Sequence, residues 1–325
     1  MRSKNWMKTI PDESTCIFGS SVLLKHLKAL IGEVDGVREA RDIEYIHRTR
    51  VASRRLRSAL TIFKDSYPQK TILDWQDDIK KITKALGAAR DVDVQVDCLR
   101  KIDSGLSQKQ YRSGIRRILL RLNQQRTKLQ THVITTLDNL EKKHTLERMY
   151  LSLNDIVGDK NITEINYTNN IYKQAQAIIL TRLESFLSFN EYLFQPELMK
   201  ELHEMRISAK SFRYAMENLS SLYNEQLMKP IEIVRGFQEI LGKIHDCDVW
   251  GLFLPRFMED ERRRVVKYCG QAGPFTSMIP GILFFRDNRK SERDRLYRKF
   301  TTEWQRIENQ PWNAIKEIII SPLTR

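Results

Sequence analysis

Apolar residues along this chain return at spacings of three and four, and strict alternation is rare, so the pattern predicts helices rather than strands. Segments with that spacing run near 18 to 36, 40 to 65, 71 to 87, 91 to 103, 108 to 150, 168 to 187, 196 to 221, 228 to 242, 246 to 263 and 286 to 309. Only 13 glycines and 9 prolines occur in 325 residues, which agrees with an almost all-α fold. Two stretches break the rhythm. "VGDKNITEINYTNN" (157–170) is polar and reads as a linker, and "GQAGPFTSMIPG" (270–281) concentrates Gly and Pro and reads as an inserted loop.

One amphipathic segment has an unusual polar side. In "YIHRTRVASRRLRSAL" (45–60) a helical advance of about 100° per residue, counted from His47, puts Arg50, Arg54 and Arg57 at about 300°, 340° and 280°. Ala52, Leu56, Ala59, Leu60 and Phe63 fall on the opposite side, giving an apolar back and a cationic stripe. The same arrangement recurs. "IHRTRVASRRLRSAL" (46–60) lies over "LHEMRISAKSFRYAM" (202–216) without gaps, pairing His47 with His203, Arg50 with Arg206, Arg54 with Lys210 and Arg57 with Arg213. "LGAARDVDV" (86–94) lies over "LGKIHDCDV" (241–249) at nearly the same separation, and "RTKLQTHVITT" (126–136) fits "RDRLYRKFTTE" (293–303) more loosely. The pattern predicts an internal duplication of a helical unit of roughly 140 to 150 residues.

Charge changes the picture further. The chain carries 55 Lys and Arg against 41 Asp and Glu, a formal excess of +14, which points to polyanionic partners where it is clustered. A solvated helix face usually mixes signs, because like charges one turn apart repel by ~0.2–0.5 kcal/mol. No acidic residue interrupts the chain from His47 to Lys64, while Glu217 sits in line in the second copy. The predominance of arginine favours phosphate, whose oxygens match the planar guanidinium fork. Histidine suits the same partner as an N–H donor. The "LGxxxDxDV" block reads as a helix-turn-helix corner, with Gly87 and Gly242 ending one helix and Asp91 or Asp93 capping the next. Asp91 and Asp246 are then placed to hold neighbouring arginines in one orientation.

The stripe and the corner together resemble the conserved-histidine α-helical domain, or CHAD, family over about residues 18 to 308. The resemblance implies an all-α fold of two pseudosymmetric four-helix bundles, with a first half at 18–156, a linker at 157–170 and a second half at 171–308. An N-terminal extension (1–17) and a C-terminal tail (309–325) flank them. It also implies non-catalytic binding of inorganic polyphosphate on a basic surface or pore. The implied ligands are His47, Arg50, Arg54 and Arg57 in the first half and His203, Arg206, Lys210 and Arg213 in the second. Lys80, Lys84 and Arg235, on the helices before each corner, are further candidates, as are Arg126 and Arg293 on the matched last helices. Two departures, Arg55 against Ser211 and Arg90 against His245, suggest weaker binding by the second half.

Other classes remain open at this level. A nucleic-acid backbone offers similar phosphates, but single-strand binders stack bases on exposed aromatics. The first stripe has no aromatic, and the second has only Tyr214 beside it. The dipeptide His245-Asp246 resembles that of metal-dependent phosphohydrolases, with His47, His203 and His245 as an imaginable metal set, although packed cations oppose a divalent ion. A scaffold docking an acidic protein or an anionic membrane is a third class. Cys16, Cys98, Cys247 and Cys269 show no CxxC spacing, the N-terminus has no apolar core of a leader, and no apolar run is long enough for a span. A cytoplasmic protein without metal or cofactor is expected, and association with polyphosphate granules accompanies the polyphosphate reading.

Overall fold

The computed structural model describes residues 12–40, 42–158, 167–307 and 310–323. Twelve α-helices cover most of them: α1 (Glu13–Ile31), α2 (Val34–Glu39), α3 (Ile43–Ile62), α4 (Gln69–Ser104), α5 (Lys109–Lys142), α6 (Thr145–Val157), α7 (Asn169–Leu187), α8 (Met199–Leu219), α9 (Met228–Cys269), α10 (Gly273–Thr276), α11 (Ile279–Ile307) and α12 (Gln310–Ile320). No strand occurs among the described residues, so the fold is all-α, as the apolar spacing predicts.

Several boundaries differ from the sequence reading, each for a local reason. Gly87 and Gly242 do not end helices; α4 and α9 run straight through them. Neither glycine has the positive φ of a helix stop. Each lies instead beneath an arginine: an added Cβ would stand 3.7 Å from Arg50 Nε at Gly87 and 3.6 Å from Arg206 Nε at Gly242. The expected single helix over 108–150 divides at His144, which takes a left-handed conformation (φ 52°) between α5 and α6. Within the Gly/Pro stretch, Gly270 (φ 70°) terminates α9 with its N–H on the Val266 carbonyl, and α11 already begins at Ile279. Residues 310–320, for which no helix is expected, form α12 because Trp312, Ile315 and Ile319 recur at helical spacing and are buried. Of the expected linker, residues 159–166 lie outside the described residues, as do residues 1–11 of the N-terminal extension.

Helices α1, α3, α4 and α5, with the short α2 and α6, form one group, and α7, α8, α9 and α11, with α12, form the other. The two groups share a core. Leu23 and Leu27 of α1, Leu56 and Leu60 of α3, Phe186 of α7, Phe212 and Met216 of α8 and Phe300 of α11 belong to one buried cluster. A second cluster joins the far ends of the groups through Val92, Val96 and Leu99 of α4, Ile115 and Ile118 of α5, Trp250 and Leu254 of α9 and Phe285 of α11. The groups are also tied at the start of α1. The Asp12 carboxylate accepts from Ser14 N–H (3.1 Å) and Thr15 N–H (3.4 Å), capping the helix, and from the Thr168 hydroxyl (2.8 Å) and the Asn170 amide (3.2 Å) ahead of and within α7. Burial would raise the pKa of this carboxyl, but the hydroxyl and amide donors prevail and hold it at about 2.

Helices α5 and α11 cross at two facing glycines. A Cβ on Gly281 would overlap the Tyr111 carbonyl oxygen, and one on Gly114 would overlap that of Met278. Gly→Ala in an open helix is worth about 1 kcal/mol of stabilisation. Here the clash is with backbone, so Gly281→Ala is expected to destabilise the protein by about 1–3 kcal/mol in urea denaturation. A stabilised variant would show that the crossing is looser than described.

Candidate functional site

The core decides which way the cationic stripes face. On α3, Ala52, Leu56, Ala59 and Leu60 are buried, which turns His47, Arg50, Arg54 and Arg57 away from the shared core. On α8, Leu202, Met205, Ala209, Phe212 and Met216 do the same for His203, Arg206 and Lys210. The two helices pack against each other, so the stripes meet. They line one cleft of about 1110 Å³, walled by α3 and α4 on one side and by α8 and α9 on the other, with residues of α7 and α11 at its edges. Both apolar clusters reach it, the first through Leu296 and the second through Trp250.

The repeated Asp-x-Asp blocks divide their work by helix geometry. Residues two apart on a helix differ by about 200°, so the members of each pair face opposite ways. Asp91 and Asp246 line the cleft. Asp91 Oδ1 stands 3.3 Å from an Arg50 terminal nitrogen, the orienting contact expected of it. Asp246 has no hydrogen bond of this kind to Arg206, whose Nε is buried without an acceptor; the two interact through charge alone. Asp93 and Asp248 turn outward and are buried. Arg126 of α5 donates to Asp93 (2.6 Å), and Arg293 of α11 donates to Asp248 in a short ion pair. Burial raises the pKa of both carboxyls by more than these arginines lower it.

The electrostatics of the cleft are lopsided. Ten Lys and Arg side chains line it against four carboxylates, Asp91, Asp97, Asp246 and Glu292. Among the described residues Arg54, Arg57, Arg206 and Lys210 have no carboxylate within salt-bridge distance, while Arg54 lies 5.7 Å over the Tyr214 ring. The consequences appear in the titrating groups. Burial, then Arg90, lowers the pKa of His47; burial, then Arg206, lowers that of His203. Burial and the nearby Arg54, Arg206 and Arg50 bring Lys210 down to about 6. Desolvation raises the pKa of Asp246, with Asp91 adding like charge and Arg206 opposing.

Of the residues singled out from sequence, the cleft brings together His47, Arg50, Arg54, Arg57, Asp91, His203, Arg206, Lys210 and Asp246. Arg213 lies elsewhere: it is buried, donating to Glu217 (2.5 Å) and Gln238 (2.8 Å), because α8 carries Glu217 one turn onward where α3 carries Thr61. Arg235 stands 3.6 Å from the same Glu217, outside the cleft. Arg126 and Arg293 are also outside it, drawn onto Asp93 and Asp248, so their role in the structure is to pin the last helix of each group. Lys80 and Lys84 are exposed on the stripe of α4 that leads to Gly87 and do not line the cleft, although Thr83 beside Lys84 does. Sequence reasoning did not single out Arg182, Lys243 or Arg289, which line the cleft from α7, α9 and α11. Arg289 precedes Arg293 by one turn, but Arg182 belongs to no repeated block, and only packing brings it there. Among the described residues no three His, Cys, Asp or Glu side chains converge as a metal set, and no helix is long and apolar enough to cross a membrane.

A family model, the CHAD domain, matches residues 21–255 of the chain. Two solved structures share the fold. The crystal structure of the CHAD domain from the plant Ricinus communis superposes with a TM-score of 0.64 at 20% identity, over 90% of this chain and 92% of that one. PptA from Streptomyces chartreusis superposes with a TM-score of 0.59 at 15% identity, over 91% of this chain and 99% of that one. No curated protein matches by sequence.

Cations without counter-charge and cations with it respond differently to removal. Arg206→Met takes away a buried unpaired donor and some repulsion, and is expected to raise the unfolding free energy by about 1 kcal/mol. Arg213→Met leaves Glu217 with only Arg55 and Arg235, and is expected to lower it by about 2 kcal/mol, short of the full cost of stranding a buried charge. Urea denaturation of both variants checks this. Equal destabilisation would mean that the cleft cations serve the fold.

Proposed function

The chain belongs to the CHAD-domain family, and we propose that its central cleft is a non-catalytic receptor for inorganic polyphosphate. The observation that carries this reading is the convergence of Arg54, Arg206 and Lys210, from facing helices, in one cleft, with no carboxylate within salt-bridge distance among the described residues. Confined like charges raise one another's energy, and an anion that threads between them lowers it. Arginine supplies paired N–H donors that match phosphate oxygens, and the histidines supply single ones. A linear polymer with about one charge per phosphate unit suits an elongated row of such groups better than a single small anion does.

The walls favour a polymer without bases. The aromatic side chains that line the cleft, Tyr214 and Trp250, are buried, and Tyr214 is occupied beneath the guanidinium groups of Arg54 and Arg213. Neither is free to stack a base, as single-strand binders require. Binding without catalysis fits a lining that holds many fixed cations. The twofold recurrence of Arg50 over Gly87 and Arg206 over Gly242, and of Arg126 on Asp93 and Arg293 on Asp248, supports an internal duplication that built two binding walls. A cytoplasmic location with association to polyphosphate granules accompanies this reading.

The test is a titration of long-chain polyphosphate by calorimetry. Arg50→Glu/Arg54→Glu is expected to weaken binding by at least about tenfold, with the helical circular dichroism unchanged, because charge reversal removes two contacts and adds two repulsions. The logarithm of the wild-type affinity should fall linearly with the logarithm of salt concentration. Single-stranded RNA at equal phosphate concentration should compete poorly. Unchanged affinity in a folded double variant removes the site, and equal competition by RNA transfers the reading to nucleic acid.

A further inference from the structure

We infer that the two walls of the cleft are chemically unlike, one permanently charged and one titratable, so that a phosphate chain spanning both enters together with protons. This rests on the polyphosphate reading and adds a regulation to it. The evidence begins with position-by-position replacement. Where the first wall has Arg54, the second has Lys210; where the first has Arg90, the second has His245. Both changes exchange a guanidinium, charged at any ordinary pH, for a group that loses its proton more easily. Arg213, the counterpart of Arg57, is withdrawn onto Glu217. Of the paired positions on the second wall, only Arg206 therefore keeps a permanent charge facing the cleft.

Geometry makes the second wall short of protons. His203 Nδ1 and His245 Nδ1 are 3.0 Å apart with ring centroids 4.1 Å apart. A hydrogen bond between those atoms holds one proton, so one ring presents a bare nitrogen and full protonation of the pair must break the contact. The groups that face it oppose a second charge on balance. Glu204 and Arg206 stand beside it on α8 together with Lys210, and Asp248 faces it from α9 but is already engaged by Arg293 of α11. Lys210 faces Arg50 and Arg54 across the cleft and Arg206 along its own helix, with Asp246 opposing them. Burial and these cations hold His245 at about 4 and Lys210 at about 6, so at neutral pH these two positions of the second wall are largely uncharged, where the first wall holds guanidinium groups.

A bound polyanion reverses the balance. Phosphate charges within hydrogen-bonding reach favour the protonated forms, raising the pKa values of Lys210 and of the histidine pair in the complex. A group whose pKa is raised by binding takes up a proton when its free pKa lies below the working pH. Affinity therefore increases as pH falls, until the group is already protonated in the free protein, near pH 6 for Lys210. Each such proton changes affinity by about tenfold per pH unit in that window.

The experiment is calorimetric titration of the full chain with long-chain polyphosphate at neutral pH, in two buffers of different ionisation heat. The expected result is net uptake of at least one proton per bound chain, and affinity that falls as pH rises from slightly acidic to slightly alkaline. In Lys210→Arg/His245→Arg, which copies the first wall onto the second at these positions, uptake and pH dependence should both be smaller than in wild type, with His47 and His203 supplying what remains, while binding persists. The same polymer in both proteins cancels protons exchanged by its own chain ends. Binding by wild type with no buffer-dependent heat overturns the inference and leaves the polyphosphate reading standing. Absence of binding at every pH overturns both. Should the double variant not fold, the wild-type buffer dependence decides by itself.

Discussion

Like charges confined between helices repel, and this protein holds them together by burying the backs of the helices that carry them. Leu56 and Leu60 on α3 and Phe212 and Met216 on α8 are inaccessible to solvent and share one core. Each such side chain contributes on the order of 1.5–3 kcal/mol on burial, whereas the repulsion of one pair of surface cations at helical spacing is ~0.2–0.5 kcal/mol. The apolar faces therefore decide the orientation, and the cationic faces follow. The cleft is thus a place where cations gather with few carboxylates to meet their charge.

The chain contains carboxylates enough to neutralise these cations, but puts them elsewhere. Glu217 gathers Arg55 of α3, Arg213 of its own helix and Arg235 of α9. Glu261, fully buried in α9, gathers Arg117 and Arg121 of α5 and Arg264 one turn onward, and although burial opposes ionisation these arginines hold its pKa at about 2. Asp93 and Asp248 take Arg126 and Arg293. In each case the pair sits between helices, where it fixes their mutual position. In the cleft the described pairings are the 3.3 Å contact of Asp91 with Arg50 and the looser 3.9 Å approach of Glu44 to Arg90. The arginines between helices are partnered, whereas Arg54, Arg57 and Arg206 in the cleft have no carboxylate within salt-bridge distance among the described residues.

The two walls, whose sequences correspond position by position, differ in chemistry. The seats of Arg50 on Gly87 and of Arg206 on Gly242 are the same in kind, so the backbone treats the halves alike. The side chains do not. Lys210 and His245 replace guanidinium groups, and Glu217 withdraws Arg213.

Much of this was legible along the chain. Helical periodicity in "IHRTRVASRRLRSAL" and its second copy placed the cations opposite an apolar back, because a helix converts spacing into direction by a fixed rotation, and four motifs in order indicated the family. The same rotation separates Asp91 from Asp93, yet which of them would face the cleft depended on where α5 and α11 pack, a matter of tertiary structure. Gly87 and Gly242 looked like helix ends because glycine usually marks them; that they seat arginines from another helix has no local signature. The partnership of Arg213 with Glu217 was foreshadowed by their spacing, while that of Arg126 with Asp93, the arrival of Arg182 at the cleft and the contact of His203 with His245 arise between helices far apart in sequence. Local periodicity determines what a helix presents, but only packing decides what it is presented to, since that is set by the burial of all the other helices at once.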